Sequence, residues 1–160
     1  MKSKYTLAYN TIDKDDYRVM INFLKKKRVL TQSEVTKKFE KKFSNFLGSK
    51  FSVFVNSGSS ANLLIAQSLL EGKFLKNKTV ILPSVSWSTS VTPFMQLGYK
   101  VILCDCDKNN LGLDLEHLKK LCIKYNPSLL LLVNVLGHSN HIGEILRLKK
   151  KFNFKIIEDN

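Results

Sequence analysis

Cysteine, proline and glycine are all scarce in this sequence, with three Cys, three Pro, seven Gly and a single Trp among 160 residues. So little proline and glycine excludes a collagen-like or low-complexity chain. The 44% of hydrophobic residues supplies the apolar surface that disordered chains lack. Long apolar runs are missing as well. The longest, Leu129 to Val133, falls far short of the roughly 20 residues that span a bilayer. The charged start Met1-Lys2-Ser3-Lys4-Tyr5 leads into no apolar segment. No secretory signal is therefore expected, and the expected compartment is the cytoplasm. Cys104, Cys106 and Cys122 then read as reduced thiols rather than a disulfide framework. Cys104-Asp105-Cys106 has no second Cys/His pair at zinc-ligand spacing, and His138 and His141 have no cysteine partners nearby. No metal site is expected.

Positive charge is what the chain has in excess: 26 Lys+Arg against 13 Asp+Glu, a net charge of +13. The basic residues cluster at Lys25-Lys26-Lys27-Arg28, Lys37-Lys38, Lys41-Lys42 and Lys149-Lys150-Lys151. They occupy the polar positions of amphipathic segments, as a solvated helix face requires. No aromatic residues interleave with them as a base-stacking platform would need. Nucleic acid and membrane are thus not expected partners. A basic surface does help to draw in an anionic, phosphate-bearing substrate.

The hydrophobic rhythm is helical at first. Asp13 to Lys27 carries Tyr17, Met20, Ile21 and Leu24 at helical spacing. A second helix opens with Thr31 and Glu34 at capping-box spacing, places Val35, Phe39, Phe43 and Phe46 on one stripe, and stops at Gly48. From Phe51 strands and helices alternate. Strands are expected at Phe51–Val55, Thr79–Leu82, Lys100–Cys104, Leu129–Val133 and Phe154–Ile157. Helices are expected at Ser59–Glu71, from Pro83 through Gln96 with an interruption at Pro93, at Asp114–Tyr125 and at Glu144–Phe152. This alternation predicts an α/β fold, mainly a parallel sheet with helices on both faces. The division expected is a helical segment over 1–50 and an α/β region over 51–160.

Three segments that follow strands carry candidate chemistry, since ligands in open α/β sheets bind outside the carboxyl ends of strands. Asn56-Ser57-Gly58-Ser59-Ser60-Ala61-Asn62 is a small-residue turn entering a helix. Its unpaired backbone N–H groups and the positive end of the helix dipole suit a phosphate, and ordinary capping by one serine is the alternative. It has neither the Gly-Lys-Ser/Thr of a Walker loop nor a dinucleotide fingerprint. Trp87, in Pro83-Ser84-Val85-Ser86-Trp87-Ser88-Thr89, could lay its face on a flat heteroaromatic ring. Burial in the core is the alternative. Asp159 ends the last strand and could hold a ring nitrogen protonated, or else belong to a polar, frayed terminus. Together a phosphate cradle, a stacking ring and a carboxylate are the parts that hold pyridoxal 5′-phosphate.

The same segments resemble, in order, the DegT/DnrJ/EryC1/StrS sugar aminotransferases. Leu30-Thr31-Gln32, Val35, Phe39-Glu40, Phe43 and Leu47-Gly48 are similar to that family's opening helix pair. Asn56 to Asn62 resembles its Ser-Gly-Thr-Ala-Ala phosphate turn, and Pro83, Trp87 and Thr89 its aromatic-lid segment. Gly98, Val101 and Asp105-Cys106-Asp107, then Asn134-Val135-Leu136-Gly137-His138, then Ile157-Glu158-Asp159 follow in register with the rest. The resemblance implies an aspartate-aminotransferase-like fold (PLP fold type I), of which 51–160 is the first part of the large domain. It implies that Ser59 and Ser60 bind the cofactor phosphate, that Trp87 stacks on the pyridine ring, and that Asp159 pairs with the ring nitrogen. The implied reaction moves an amino group, usually from glutamate, to a nucleotide-linked keto sugar in a homodimer, for polysaccharide or glycoside biosynthesis. The Ser-Gly-Ser-Ser-Ala-Asn turn with Trp87 also resembles the branch that removes the sugar's C3 oxygen. The family's Schiff-base lysine, replaced by histidine in that branch, is expected beyond Asn160. The 160 residues are accordingly not expected to transaminate alone, and a non-catalytic remnant or partner subunit is the remaining expectation.

Overall fold

The computed structural model describes residues 9–26 and 29–160. The start Met1-Lys2-Ser3-Lys4-Tyr5, and Lys27 and Arg28 of the first basic cluster, lie outside the described residues. The chain forms two compact units, Met1–Phe54 and Val55–Asn160.

The first unit holds α1 (Lys14–Lys25) and α2 (Glu34–Leu47). A capping box does form, but on α1. Asp13 accepts from the N–H groups of Asp15 and Asp16, while Asp16 reaches back to the Asp13 N–H. The Thr31/Glu34 box expected on α2 is not made, because the N-cap is Ser33 and it uses no side-chain bond. Gly48 closes α2 at φ +68°, the left-handed cap that glycine adopts without strain. Phe39 stacks on Phe43 and meets Phe54 edge-on.

The second unit contains α3 (Gly58–Glu71), β1 (Thr79–Pro83), α4 (Ser88–Gln96), β2 (Lys100–Cys104), α5 (Leu115–Tyr125), β3 (Leu129–Val133), α6 (Ile142–Phe152) and β4 (Lys155–Asp159). The strands make one parallel sheet in the order β2-β1-β3-β4. Strand β3 is apolar throughout, and β1 is apolar after Thr79, as strands covered on both faces are. Val80, Leu82, Leu129 and Leu131 point to one face with Ala66 of α3 and Phe94 of α4. Ile81, Leu130 and Leu132 point to the other with Leu118 and Cys122 of α5 and Ile145 of α6. Asp114 caps α5 by accepting from the His117 N–H at 2.7 Å, as its position before the helix predicts.

Among the described residues four strands form rather than the five expected. Phe51–Val55 makes no strand, because it pairs with no neighbour, and a strand is defined by its ladder partners. The Phe54 N–H donates instead to Glu40 Oε1 at 2.8 Å. The last strand runs to Asp159, which stands in register with Val133, so Asp159 belongs to the sheet and not to a frayed end.

Candidate functional site

The strand order turns back between β1 and β3. The link after β1, α4, covers one face, whereas the link after β3, α6, covers the other. Crevices open at such switch points, beyond the carboxyl ends of the strands. A cavity of about 490 Å³ lies there, lined by Val85, Ser86, Trp87 and Ser90 after β1, by Val133–Leu136 after β3, and by Asp159 and Asn160 at the end of β4. Its size falls within the roughly 300–1,000 Å³ of small-molecule sites.

Asp159 anchors the floor. Its Oδ2 accepts from Ser90 Oγ at 2.6 Å and from Asn62 Nδ2 at 2.9 Å, both side chains being almost fully buried. The two bonds converge on one oxygen and leave Oδ1 to accept a further N–H. Asn62 is positioned by a second bond, to the Thr89 carbonyl at 3.5 Å. That carbonyl is free because Pro93, four residues on inside α4, has no N–H to give it. A proline within a helix thus creates the acceptor that orients the asparagine beneath the carboxylate.

Trp87 is not a core residue. It is 77% exposed, sits at the N-cap of α4, and lines the cavity. Across from it Leu136 stands at φ +52°, a left-handed backbone that is strained for a leucine, and its side chain is exposed at the cavity wall.

Ser59 and Ser60 are not among the residues lining the cavity. They occupy the first turn of α3, and Asn62 on the same helix ties that turn to Asp159. Ser57 is the N-cap, its Oγ accepting from the Ser60 N–H at 3.2 Å. Ordinary capping therefore occurs here. The N–H groups of Gly58 and Ser59 retain no partner within the helix. The structure brings Trp87 and Asp159 together and places Ser59 and Ser60 on the helix that supports them.

Two residues of the site belong to no functional motif: Asn62 ends the small-residue turn, and Ser90 is one serine of a helix. The legible signal is Pro93, which within a helix leaves the carbonyl of Thr89 without its intrahelical donor. Among the described residues no group of three or more His, Cys, Asp or Glu is placed to hold a metal ion, and no helix is long and apolar enough to cross a membrane.

Residues 10–160 match the DegT/DnrJ/EryC1/StrS aminotransferase family. The chain belongs to that family. Its members are pyridoxal-phosphate-dependent sugar aminotransferases and 3-dehydratases acting on nucleotide sugars. The GDP-4-keto-6-deoxy-D-mannose 3-dehydratase of Yersinia pseudotuberculosis is 36% identical over 98% of this chain and 40% of its own length. A transaminase of Campylobacter jejuni, acting on UDP-4-amino-4,6-dideoxy-N-acetyl-beta-L-altrosamine by its name, is 26% identical over 96% of this chain and 40% of its own. Among solved structures, the Escherichia coli GDP-4-keto-6-deoxy-D-mannose-3-dehydratase with bound hydrated PLP superposes with a TM-score of 0.84 at 34% identity. That match covers 98% of this chain and 40% of the other. The Helicobacter pylori aminotransferase of pseudoaminic acid biosynthesis superposes at 0.85 with 25% identity, over 99% of this chain and 42% of the other. The fold is therefore that of PLP fold type I enzymes, and the chain spans about 40% of the length of these relatives. The 3-dehydratase branch is as well supported by these likenesses as the aminotransferase branch.

Proposed function

We propose that the cavity at the end of β1, β3 and β4 binds pyridoxal 5′-phosphate in an enzyme that remodels a nucleotide-linked keto sugar. The observation that carries this is the Asp159 carboxylate, held on one oxygen by Ser90 and Asn62 and facing a cavity walled by Trp87. These residues fit the group. A carboxylate with a spare lone pair accepts a ring N–H, an exposed indole covers a flat ring, and the first turn of α3 offers amides to a phosphate. In this reading Asp159 fixes the ring nitrogen, Trp87 limits water on one face, and Ser59 and Ser60 hold the phosphate, Ser59 through its backbone N–H and Ser60 through its hydroxyl, since the Ser60 N–H is committed to the Ser57 cap. Bound there, the cofactor supplies an electron sink for bond breaking next to the sugar's keto carbon.

For the reaction we favour removal of the C3 oxygen from a GDP-4-keto-6-deoxymannose-like substrate, on the strength of 36% identity to such a dehydratase against 26% to the transaminase. Amino transfer from glutamate to the keto sugar is the second reading, supported by the transaminase relatives. Residues 51–160 would be the first part of the cofactor-binding large domain, behind a helical segment over 1–50, and the working enzyme a cytoplasmic homodimer. Incubating the protein, extended by the segment in which the family's Schiff-base residue is expected, with PLP, glutamate and GDP-4-keto-6-deoxymannose, and weighing the product by mass spectrometry, separates the readings. A sugar lacking one oxygen supports the dehydratase. A sugar with an amino group in place of the keto oxygen supports the aminotransferase. Absence of PLP binding overturns both.

A further inference from the structure

Three asparagines run in a line to the wall of the cavity. Asn140 is buried, and its orientation is set twice, because Oδ1 accepts from the Leu113 N–H at 2.9 Å and Nδ2 donates to the Val133 carbonyl at 3.0 Å. Asn134 comes next. The Asn140 N–H, which can only donate, points at its Oδ1 at 3.2 Å, and Asn140 Nδ2 donates to the same oxygen at 3.0 Å. The Asn134 amide is therefore committed as well, with its nitrogen directed away from Asn140. That nitrogen donates to Asn160 Oδ1 at 2.8 Å.

The consequence falls on Asn160, which lines the cavity beside Asp159. An amide has one oxygen and two N–H groups. The bond from Asn134 fixes which end of the Asn160 amide faces the network, and among the described residues both N–H groups of its NH₂ are left without a partner. A free asparagine can present either end to a ligand, but this one is preset as a donor by backbone groups two residues removed from it in the network. We infer that Asn160 is a ligand-recognition residue that donates an N–H to an oxygen acceptor in the cavity. The acceptor is a ring oxygen of the cofactor or a hydroxyl or keto oxygen of the sugar. The inference rests on the reading of the cavity as a PLP site. It adds to that reading a fixed N–H donor on the wall next to the Asp159 acceptor.

Asn160→Asp and Asn160→Ala separate recognition from support. The aspartate keeps an oxygen for Asn134 to donate to and loses only the free N–H groups, whereas alanine loses both. We expect both variants to weaken ligand binding about tenfold, the scale of one hydrogen bond to a ligand, with Asn160→Asp melting close to the parent protein. PLP affinity, from quenching of protein fluorescence, and the Kd for GDP-4-keto-6-deoxymannose are both read. A loss in PLP affinity assigns the acceptor to the cofactor, and a loss confined to the sugar's Kd assigns it to the sugar. If Asn160→Asp matches the parent protein while Asn160→Ala is impaired, Asn160 only props Asn134 and the inference falls. It falls too if Asn160→Ala matches the parent in both readings, since the aspartate's effect is then one of charge. If the parent protein itself does not bind PLP, the cofactor reading fails first, whatever the variants do.

Discussion

Asn62 Nδ2 lies 2.9 Å from Asp159 Oδ2, across 97 residues of chain. Asn62 lies early in α3, Ser90 early in α4 and Asp159 at the end of β4, so this bond, with that of Ser90, ties three elements into one site. Removing Asn62 strands two acceptors at once, the Thr89 carbonyl left free by Pro93 and one bond to Asp159. Asn62→Ala is expected to cost about 1–3 kcal/mol of stability, the usual penalty for a buried polar group left unpaired. Urea unfolding measures it. Ser90→Ala should cost less, about 0.5–1.5 kcal/mol, because it removes a single donor.

Trp87 should show the opposite balance. At 77% exposure its loss takes little from the core, so Trp87→Ala is expected to change stability by no more than about 0.5 kcal/mol. PLP affinity should nevertheless fall clearly, and Trp87→Phe should recover part of it by keeping an aromatic face. Thermal melting and a PLP titration on the same preparations decide the matter.

The first turn of α3 gives a competition test. If its amides hold a phosphate, inorganic phosphate should compete with PLP. Ser59→Ala should cost little affinity, because the backbone donors remain. Ser57→Ala removes the N-cap and is expected to cost about 0.5–2 kcal/mol of stability.

Two thiols give the alkaline limb of stability. Burial, aided by the nearby Asp114, pushes Cys104 from the ordinary 9.0 up to about 12, and burial pushes Cys122 up to about 11. The folded state thus keeps protons that the unfolded chain gives up. Stability from this source is fully present below pH 9.0 and is lost progressively as pH rises toward 11–12. Urea midpoints measured across that range should fall, and Cys104→Ala should flatten part of the decline. Alkylation of the native protein at pH 8 should mark Cys106, the least buried of the three, well before Cys104 and Cys122.

Much of the second unit was legible because its local signals agree. Strands β2 and β3 coincide with their apolar runs, and Asp114 caps α5 where its position predicts. The Phe51–Val55 run misled because strand propensity does not say whether a partner is present, and none is paired with it. Trp87 and Asp159 could be named since each follows a strand, yet their meeting depends on β1 and β4 lying on either side of β3, which is a property of topology. Asn62, Ser90 and the asparagine line from Asn140 to Asn160 were harder to see. Their roles lie in contacts between segments distant in sequence, and an asparagine in a turn or a serine in a helix has many commoner reasons to be there.

The most direct test is a crystal structure of the protein grown with PLP. The account predicts the ring against Trp87, its nitrogen within hydrogen-bond distance of Asp159, and the phosphate at the first turn of α3. A ring bound elsewhere, or with its nitrogen turned away from Asp159, would contradict it.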